Sequence, residues 1–415
     1  MPLARFLAAL ERGLRARRVV TLPPSVKPTS FAQRARACGA DLLEVRTDVT
    51  PLTVELHGAA DVLPLLVAER GSASPDAWLE AATLVDREAS TTCDVRSFHS
   101  STPLTVADAL THWRDVPASV QLKHVEPLHE PRHLATLLET QAALIERHGP
   151  ERVTVLATGP LATAARAVLA QRNALDYLRF DETWAAAPGQ RFLADAVREA
   201  QSPTRAPRRL AILGSAVQHS RSPRLHRQPF DRLELPADVD LDALLEALRP
   251  HYRGFAVTNP FKKQAARSVG AALPAVNTLL ASPTGWAGEN TDVAGAAAVL
   301  EALGASNVTA LGDGGATEAL RVAATARGTT LTVLTRAAIT STPIRGACVW
   351  TWPASVEIPE VLRFSGAEVA VIAYGPPGRR IAQQIRGRGG TPRALGPRWL
   401  IAQARRQKAL WEGVR

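Results

Sequence analysis

Lysine is scarce in this chain: only five of its 49 cationic side chains are lysine, namely Lys27, Lys123, Lys262, Lys263 and Lys408. Arginine serves a surface charge equally well, but it cannot give up its proton to act as an amine nucleophile or a tunable acid. A lysine kept in such a background therefore marks a place to look for amine chemistry. Cysteine is almost absent, and Cys38, Cys93 and Cys348 are widely spaced and odd in number, which excludes a disulfide framework and a zinc site. No metal is expected, and a reducing cytoplasm is the simplest compartment. No run approaches the ~18 continuous apolar residues of a membrane span. Aromatic residues make up only 5% and do not interleave with the arginines, so the formal charge of +10 does not indicate a nucleic-acid partner. It reads as a solvated basic surface whose field draws in anionic substrates such as carboxylates and dinucleotides.

The 415 residues, 46% of them hydrophobic, are enough for roughly two to three domains. The first eighteen, MPLARFLAALERGLRARR, are amphipathic and arginine-rich like a mitochondrial transit peptide, but Glu11 interrupts them and the strand-like VVTLPP follows at once. From residue 19 to about 195, eight β-branched or leucine-rich runs alternate with amphipathic stretches: VVTLPP, DLLEVRTD, VLPLLVAER, AATLVDRE, CDVRSFHS, SVQLKHVEP, RVTVLATG and DYLRFDE. This pattern predicts a parallel (β/α)₈ TIM barrel with its chemistry at the carboxyl ends of the strands, where Glu44, Arg46, Asp86, Glu88, His99 and Lys123 gather. SPTRAPRR at 202–209 reads as a linker. Strands and helices then resume with LAILG, and the turn LGDGGAT at 311–317 lies between the strand NVTAL and the helix EALRVAATARG. Such a turn suits a dinucleotide: glycines allow close backbone approach and the helix N-terminus faces the pyrophosphate.

Lys123 falls within a barrel strand, and His99 ends the strand before it. A desolvated amine can attack a ketone to give an iminium, an electron sink for carbon acidity, and a nearby imidazole can take the α-proton and hand it to a leaving hydroxyl. The pieces EVRTD, VDRE, SFHSSTP, QLK, ATGPLATAAR and APGQ, in this order, resemble the type I 3-dehydroquinate dehydratases. That resemblance implies Lys123 as the Schiff-base lysine and His99 as the general acid and base. It implies Glu44, Arg46, Arg70, Arg166 and Gln190 as holding the substrate's hydroxyls and carboxylate. Ser100 stands where that family usually has aspartate, Ala186 stands where it usually has serine, and its acidic E-G-G element is missing from GSASP.

The segments ILGSAVQHSRSP, GFAVTNPFKK, AVNTL, GENTDVAG and GPRWLIAQARRQKALWEG resemble the shikimate dehydrogenases. This likeness implies Lys262 and Asp292 as the catalytic pair, with Ser220, Ser222, Thr258, Asn277 and Gln403 binding the substrate. It implies NADP, as NADPH, held by Gly312, Gly314, Gly315, Ala316, Thr335, Arg336 and Tyr374. The usual G-A-G-G turn reads GDGG, which puts Asp313 where the pyrophosphate approaches.

Together the two resemblances imply a bifunctional shikimate-pathway enzyme that dehydrates 3-dehydroquinate to 3-dehydroshikimate and reduces that product to shikimate. The expected domains are a dehydratase barrel over 1–200, a dehydrogenase substrate-binding domain over 208–292 joined by a C-terminal helix at 396–415, and an NADP-binding Rossmann domain over 293–395. The expected partners are small-molecule substrates, not nucleic acid or membrane, and a homodimer is left open. Two rivals stand beside this reading: a Schiff-base aldolase fused to a quinate dehydrogenase, and a metabolite sensor that keeps both pockets without turnover.

Overall fold

The computed structural model describes residues 16–413 except 89, 91, 203–207, 227, 354, 355 and 357. The amphipathic start of the chain and most of the expected linker lie outside the described residues. The chain forms two compact units, Met1–Tyr252 and Arg253–Arg415.

In the first unit, the eight expected strands are β1 (Arg17–Thr21), β2 (Leu42–Arg46), β3 (Leu65–Ala68), β4 (Leu84–Glu88), β5 (Val95–His99), β6 (Gln121–Pro127), β7 (Val153–Thr158) and β8 (Leu175–Arg179). They pair in parallel in the order β7-β6-β5-β4-β3-β2-β1-β8, and a two-residue strand, β9 (Arg191–Phe192), extends β8. Alternation along each strand explains the curl: Val19, Leu42, Leu66, Leu84 and Val95 pack with one another inside, while Val20, Leu43, Leu65 and Val67 face the helices. The seam between β7 and β8 has no ladder. Ala174 N–H donates to Val153 O (2.8 Å) and Leu175 N–H to Thr154 Oγ1 (3.0 Å) across it. Helices follow the expected alternation except between β4 and β5, which residues 89–94 join with no helix among the described ones. That link is too short for the usual helical crossover of about a dozen residues.

The first unit continues beyond the barrel with β10 (Arg209–Gly214) and β11 (Phe230–Glu234), a parallel pair. A buried ionic cluster fastens them to the barrel. Arg209 donates to both oxygens of Asp231, from Nε at 2.5 Å and Nη2 at 2.6 Å, and it also pairs with Glu199 of the helix Leu193–Ala200. Arg191 bridges Glu199 and Asp176 of β8, and Tyr252 Oη donates to Asp231 Oδ2 (2.9 Å).

The second unit holds β12 (Tyr252–Val257), β13 (Thr278–Ser282) and β14 (Gly285–Glu289), paired antiparallel in sequence. It also holds a parallel sheet of β15 (Asn307–Leu311), β16 (Thr330–Leu334), β17 (Ala347–Trp350), β18 (Glu368–Val371) and β19 (Thr391–Ala394). That sheet has the order β16-β15-β17-β18-β19, a doubly wound arrangement with its switch point between β15 and β17. Apolar side chains from helices cover both faces, Val299, Leu320 and Trp399 on one and Ile381 and Ile385 on the other. The helix Gly396–Gly413 returns to the antiparallel strands, where Trp411 Nε1 donates to Leu279 O (3.0 Å). Only glycine fits beneath this indole, because a Cβ at Gly254 would lie 2.2 Å from Trp411 Nε1. Among the described residues no helix is long and apolar enough to cross a membrane.

Candidate functional site

Period-two alternation brings the barrel's polar residues together, since Asp86 and Glu88, and likewise Ser97 and His99, point to the same side of their strands. Register does the rest, setting Ser97 opposite Lys123 and Glu88 opposite Ser97 on neighbouring strands. Asp86 is the hub. Its fully buried carboxylate accepts from Lys123 Nζ (3.0 Å), Arg70 Nη2 (2.6 Å) and Ser97 Oγ. Burial alone would raise the Asp86 pKa, but the Lys123 and Arg70 charges override it and hold it below the usual carboxylate range. Glu44 Oε1 lies 3.6 Å from Lys123 Nζ, and the Tyr177 ring centroid lies 4.0 Å from the same nitrogen.

His99 Nδ1 is 2.6 Å from Glu88 Oε1, which orients the imidazole. Desolvation, then the Lys123 and Arg70 charges, lower the His99 pKa from its ordinary 6.5, with Glu88 opposing them. The ring is therefore neutral at neutral pH and able to accept a proton. Arg166 is buried on the helix Ala162–Leu169 and donates from Nε to Ala157 O (2.8 Å). Burial pulls its pKa down to about 10, and it has no ion-pair partner among the described residues, so an anion is the natural complement. Gln190 Oε1 accepts from Ala186 N–H (2.9 Å), and Arg46 Nη1 donates to Ala186 O (3.4 Å), so both hold the same loop. Arg46 otherwise pairs with Asp48 (2.7 Å).

Ser97 and Tyr177 are the residues of this cluster that the sequence reading did not name, whereas Asp86 and Glu88 were expected at the strand ends without an assigned role. Ser97 shares a strand face with His99, a signal that could have found it. Tyr177 carried no such signal, because it reads as an apolar residue of the last strand. Its buried hydroxyl has no hydrogen-bond partner among the described residues.

In the second unit, Lys262 and Asp292 each begin a helix, Lys262–Ser268 and Asp292–Leu303. Lys262 Nζ lies 2.6 Å from Asp292 Oδ2, and Trp399 Nε1 donates to Asp292 Oδ1 (3.3 Å). Asn277 is buried. Its Oδ1 accepts from Thr291 N–H (2.7 Å), Thr291 Oγ1 (3.0 Å) and Thr278 Oγ1 (2.9 Å), and its amide nitrogen has no partner among the described residues. A buried donor in that state favours a polar ligand. Thr258 follows β12 and is half-buried, as is Gln403 on the helix Gly396–Gly413. The fully buried glutamine of that helix is instead Gln407, which donates to Thr278 Oγ1 (3.1 Å). Ser220 and Ser222 lie in the first unit, their hydroxyls 3.2 Å apart, with Ser222 opening a short helix.

The glycine turn joins β15 to the helix Gly315–Arg327 at the switch point of the parallel sheet. Gly312 needs to be glycine, with φ of 126° and Thr351 Oγ1 only 2.6 Å from where its Cβ would sit. Gly314 and Gly315 face open space, since a Cβ at either would meet nothing within 4 Å. Ala316 and Thr317 lie in the first turn of the helix, and Thr317 Oγ1 donates back to Gly312 O (2.8 Å). Thr335 and the exposed Arg336 follow β16, and Tyr374 precedes the helix Gly375–Arg386. Asp313 accepts from Arg321 Nη2 (3.0 Å), so its charge at the turn is partly offset. Room, helix dipole and a cation after the second strand together fit a phosphorylated dinucleotide.

Residues 212–279 match the family described as the shikimate dehydrogenase substrate binding domain. The chain is similar to a shikimate dehydrogenase (NADP(+)) of Anaeromyxobacter sp., 36% identical over 143 residues that cover 30% of this chain and 51% of that protein. It is also similar to a pentafunctional AROM polypeptide of Candida tropicalis, 35% identical over 102 residues that cover 20% of this chain and 6% of that protein. The chain thus spans about half the length of the curated dehydrogenases it matches, and far less of the pentafunctional one. Among solved structures, the dehydroquinate dehydratase and shikimate dehydrogenase from S. pombe AroM aligns over 98% of this chain and 97% of that one, at 18% identity and a TM-score of 0.38.

Proposed function

We propose that the chain is a bifunctional enzyme that dehydrates 3-dehydroquinate through a Schiff base and then reduces the product, 3-dehydroshikimate, to shikimate with NADPH. The dehydratase would occupy residues 1–200. The dehydrogenase substrate domain would comprise 208–292 with the helix 396–415, and the nucleotide domain 293–395. The observation that carries this reading is that two of the few lysines each lie against a carboxylate, Lys123 on Asp86 and Lys262 on Asp292. Agreement between the two halves adds support, because one makes what the other consumes.

In the barrel, the Lys123 amine attacks the substrate ketone, and loss of water gives the imine. Neutral His99, steadied by Glu88, removes the adjacent proton and passes it to the departing hydroxyl. Hydrolysis then returns the lysine and releases the enone. Arg166 with Arg70 complements the carboxylate, and Glu44, Arg46 and Gln190 shape the pocket around the ring hydroxyls. In the dehydrogenase, NADPH supplies a hydride to the ketone when bound. Lys262 stabilises the oxygen as charge develops and protonates it, and Asp292 orients the ammonium. Ser220, Ser222, Thr258, Asn277 and Gln403 would hold the carboxylate and hydroxyls. Gly312, Gly314, Gly315 and Ala316 would receive the pyrophosphate, Thr335 and Arg336 the 2′-phosphate, and Tyr374 would flank the nicotinamide end. The Asp313–Arg321 pair partly offsets the charge that the altered turn brings near the pyrophosphate, which favours turnover over the sensor reading.

A coupled assay supplying dehydroquinate and NADPH tests the whole reading, and failure to form shikimate rejects it. Lys262→Ala should lower dehydroshikimate reduction by about 10²–10³-fold, the range for losing a positioned acid and its charge, with dehydration unchanged. A parallel loss of both activities would point to misfolding. Arg336→Ala should raise the KM for NADPH about 10–150-fold while leaving that for NADH alone, since a charge-assisted phosphate contact contributes on the order of 1.5–3 kcal/mol. An unchanged NADPH preference would move the 2′-phosphate contact elsewhere.

A further inference from the structure

Ser220 and Ser222 lie on a loop whose own hydrogen bonds are short-range, between the two hydroxyls and from Ser222 N–H to Ser220 Oγ (3.2 Å each) and from Ser220 N–H to Val217 O (3.0 Å). What fixes its course is Arg232 of β11. The Arg232 Nη1 atom donates to three carbonyls of this loop, Val217 O (3.1 Å), Gln218 O (2.7 Å) and Ser220 O (2.7 Å). Its Nε donates to Asp195 Oδ2 (2.7 Å), and its guanidinium carbon lies 5.1 Å from the centroid of Phe192. Asp195 and Phe192 belong to the barrel side of the first unit, on the helix Leu193–Ala200 and β9. Arg198 pins the other Asp195 oxygen (2.7 Å). Both partners of the Arg232–Asp195 pair are largely buried, with side chains 14% and 11% exposed, so the contact is poorly screened by water. Gln190, Phe192, Asp195, Gln218 and Arg232 line one cavity of about 680 Å³, so the brace forms part of its wall.

We propose that Arg232, anchored on Asp195 and Phe192, is a positioning residue for the dehydrogenase substrate: the barrel holds the loop that presents Ser220 and Ser222. The proposal deepens the dehydrogenase reading and rests on it for the identity of the substrate. A guanidinium bonds Asp195 through Nε while Nη1 reaches the loop carbonyls, a span between two donor nitrogens that a single ammonium lacks.

The test uses the full chain, measuring hydrogen exchange of the amides at 217–222 alongside steady-state kinetics. In Arg232→Ala, exchange should quicken about tenfold as the loop is released. The KM for dehydroshikimate should rise about tenfold with kcat within about twofold, because a loosened binding loop loses ground-state and transition-state contacts alike. The KM for NADPH and the dehydration rate should not move. Asp195→Ala should shift both loop readouts in the same direction by about threefold, since the carbonyl contacts survive without their anchor. Arg232→Lys should fall between Arg232→Ala and the parent. If Arg232→Ala does not fold, Asp195→Ala carries the test. Parent-like exchange in Asp195→Ala and Arg232→Ala overturns the brace, and faster exchange with an unchanged KM overturns its role in substrate binding. A parent chain that does not reduce dehydroshikimate overturns the functional reading instead, and exchange alone then decides the brace.

Discussion

Lys123→Ala should lower dehydroquinate dehydration by at least about 10⁴-fold, because the covalent route to carbon acidity disappears with the amine. Reduction of dehydroshikimate by the same chain should be unaffected. Lys123→Arg is the sharper variant: it keeps a cation beside Asp86 and Glu44, now 3.0 and 3.6 Å from the amine, yet cannot form an imine. It should be as inactive as Lys123→Ala. Folding should persist in both variants, since Asp86 retains Arg70 and Ser97. Borohydride added with dehydroquinate should attach a reduced adduct to Lys123 in the parent, seen by peptide mapping, and to neither variant. Activity in Lys123→Arg, or an adduct on another lysine, would remove the Schiff-base assignment.

The second large effect concerns stability. Arg209 is 6% exposed and donates to Asp231 through two nitrogens while pairing with Glu199. Arg209→Ala leaves Glu199 with Arg191 and Asp231 with Tyr252 but one cation short in a desolvated site, and removing one partner of a buried pair costs about 3–5 kcal/mol. The midpoint of chemical denaturation should fall accordingly. Lys408→Ala, which removes a surface pair with Glu412, should change stability by at most about 1 kcal/mol and serves as the control. Burial would raise the Glu199 pKa, but Arg191 and Arg209 override it and hold it at about 2, against an ordinary 4.5. Its contribution to stability is therefore complete above pH 4.5 and is lost as pH falls from there towards 2. Arg209→Ala should flatten that acid limb. A variant that loses under about 1 kcal/mol would show that water reaches the cluster and screens it.

The strands were legible because β-branched and leucine-rich runs that form strands of four to seven residues, separated by amphipathic stretches, admit few other readings. Lys123, His99, Lys262 and Asp292 stood out through residue type and local motif. What stayed hidden was pairing across distance. Asp86 meets Lys123 from 37 positions away, and Arg232 meets Asp195 from the same separation. No local pattern encodes either contact, since each depends on which strand ends or helices the topology sets side by side. Arginine abundance worsened this, as Arg209 and Arg232 look like any of the surface arginines until their carboxylates are placed. Between β4 and β5 the eye supplied a regular alternation, whereas residues 89–94 leave no room for a helix. Gln403 was chosen from its motif, while the fully buried glutamine is one turn further on, at Gln407.

The indole of Trp399 reaches back 107 positions to Asp292, and that separation sets a timetable for synthesis. A ribosome adding about 5–20 residues per second emits Asp292 roughly 5–20 s before the tryptophan that borders it. The barrel, whose strands end at Arg179 and whose docked β9 ends at Phe192, has by then left the exit tunnel. A nascent chain can thus complete the half that holds Lys123 while the half that holds Lys262 still lacks one wall, and the two proposed activities would mature in the order in which the metabolite meets them.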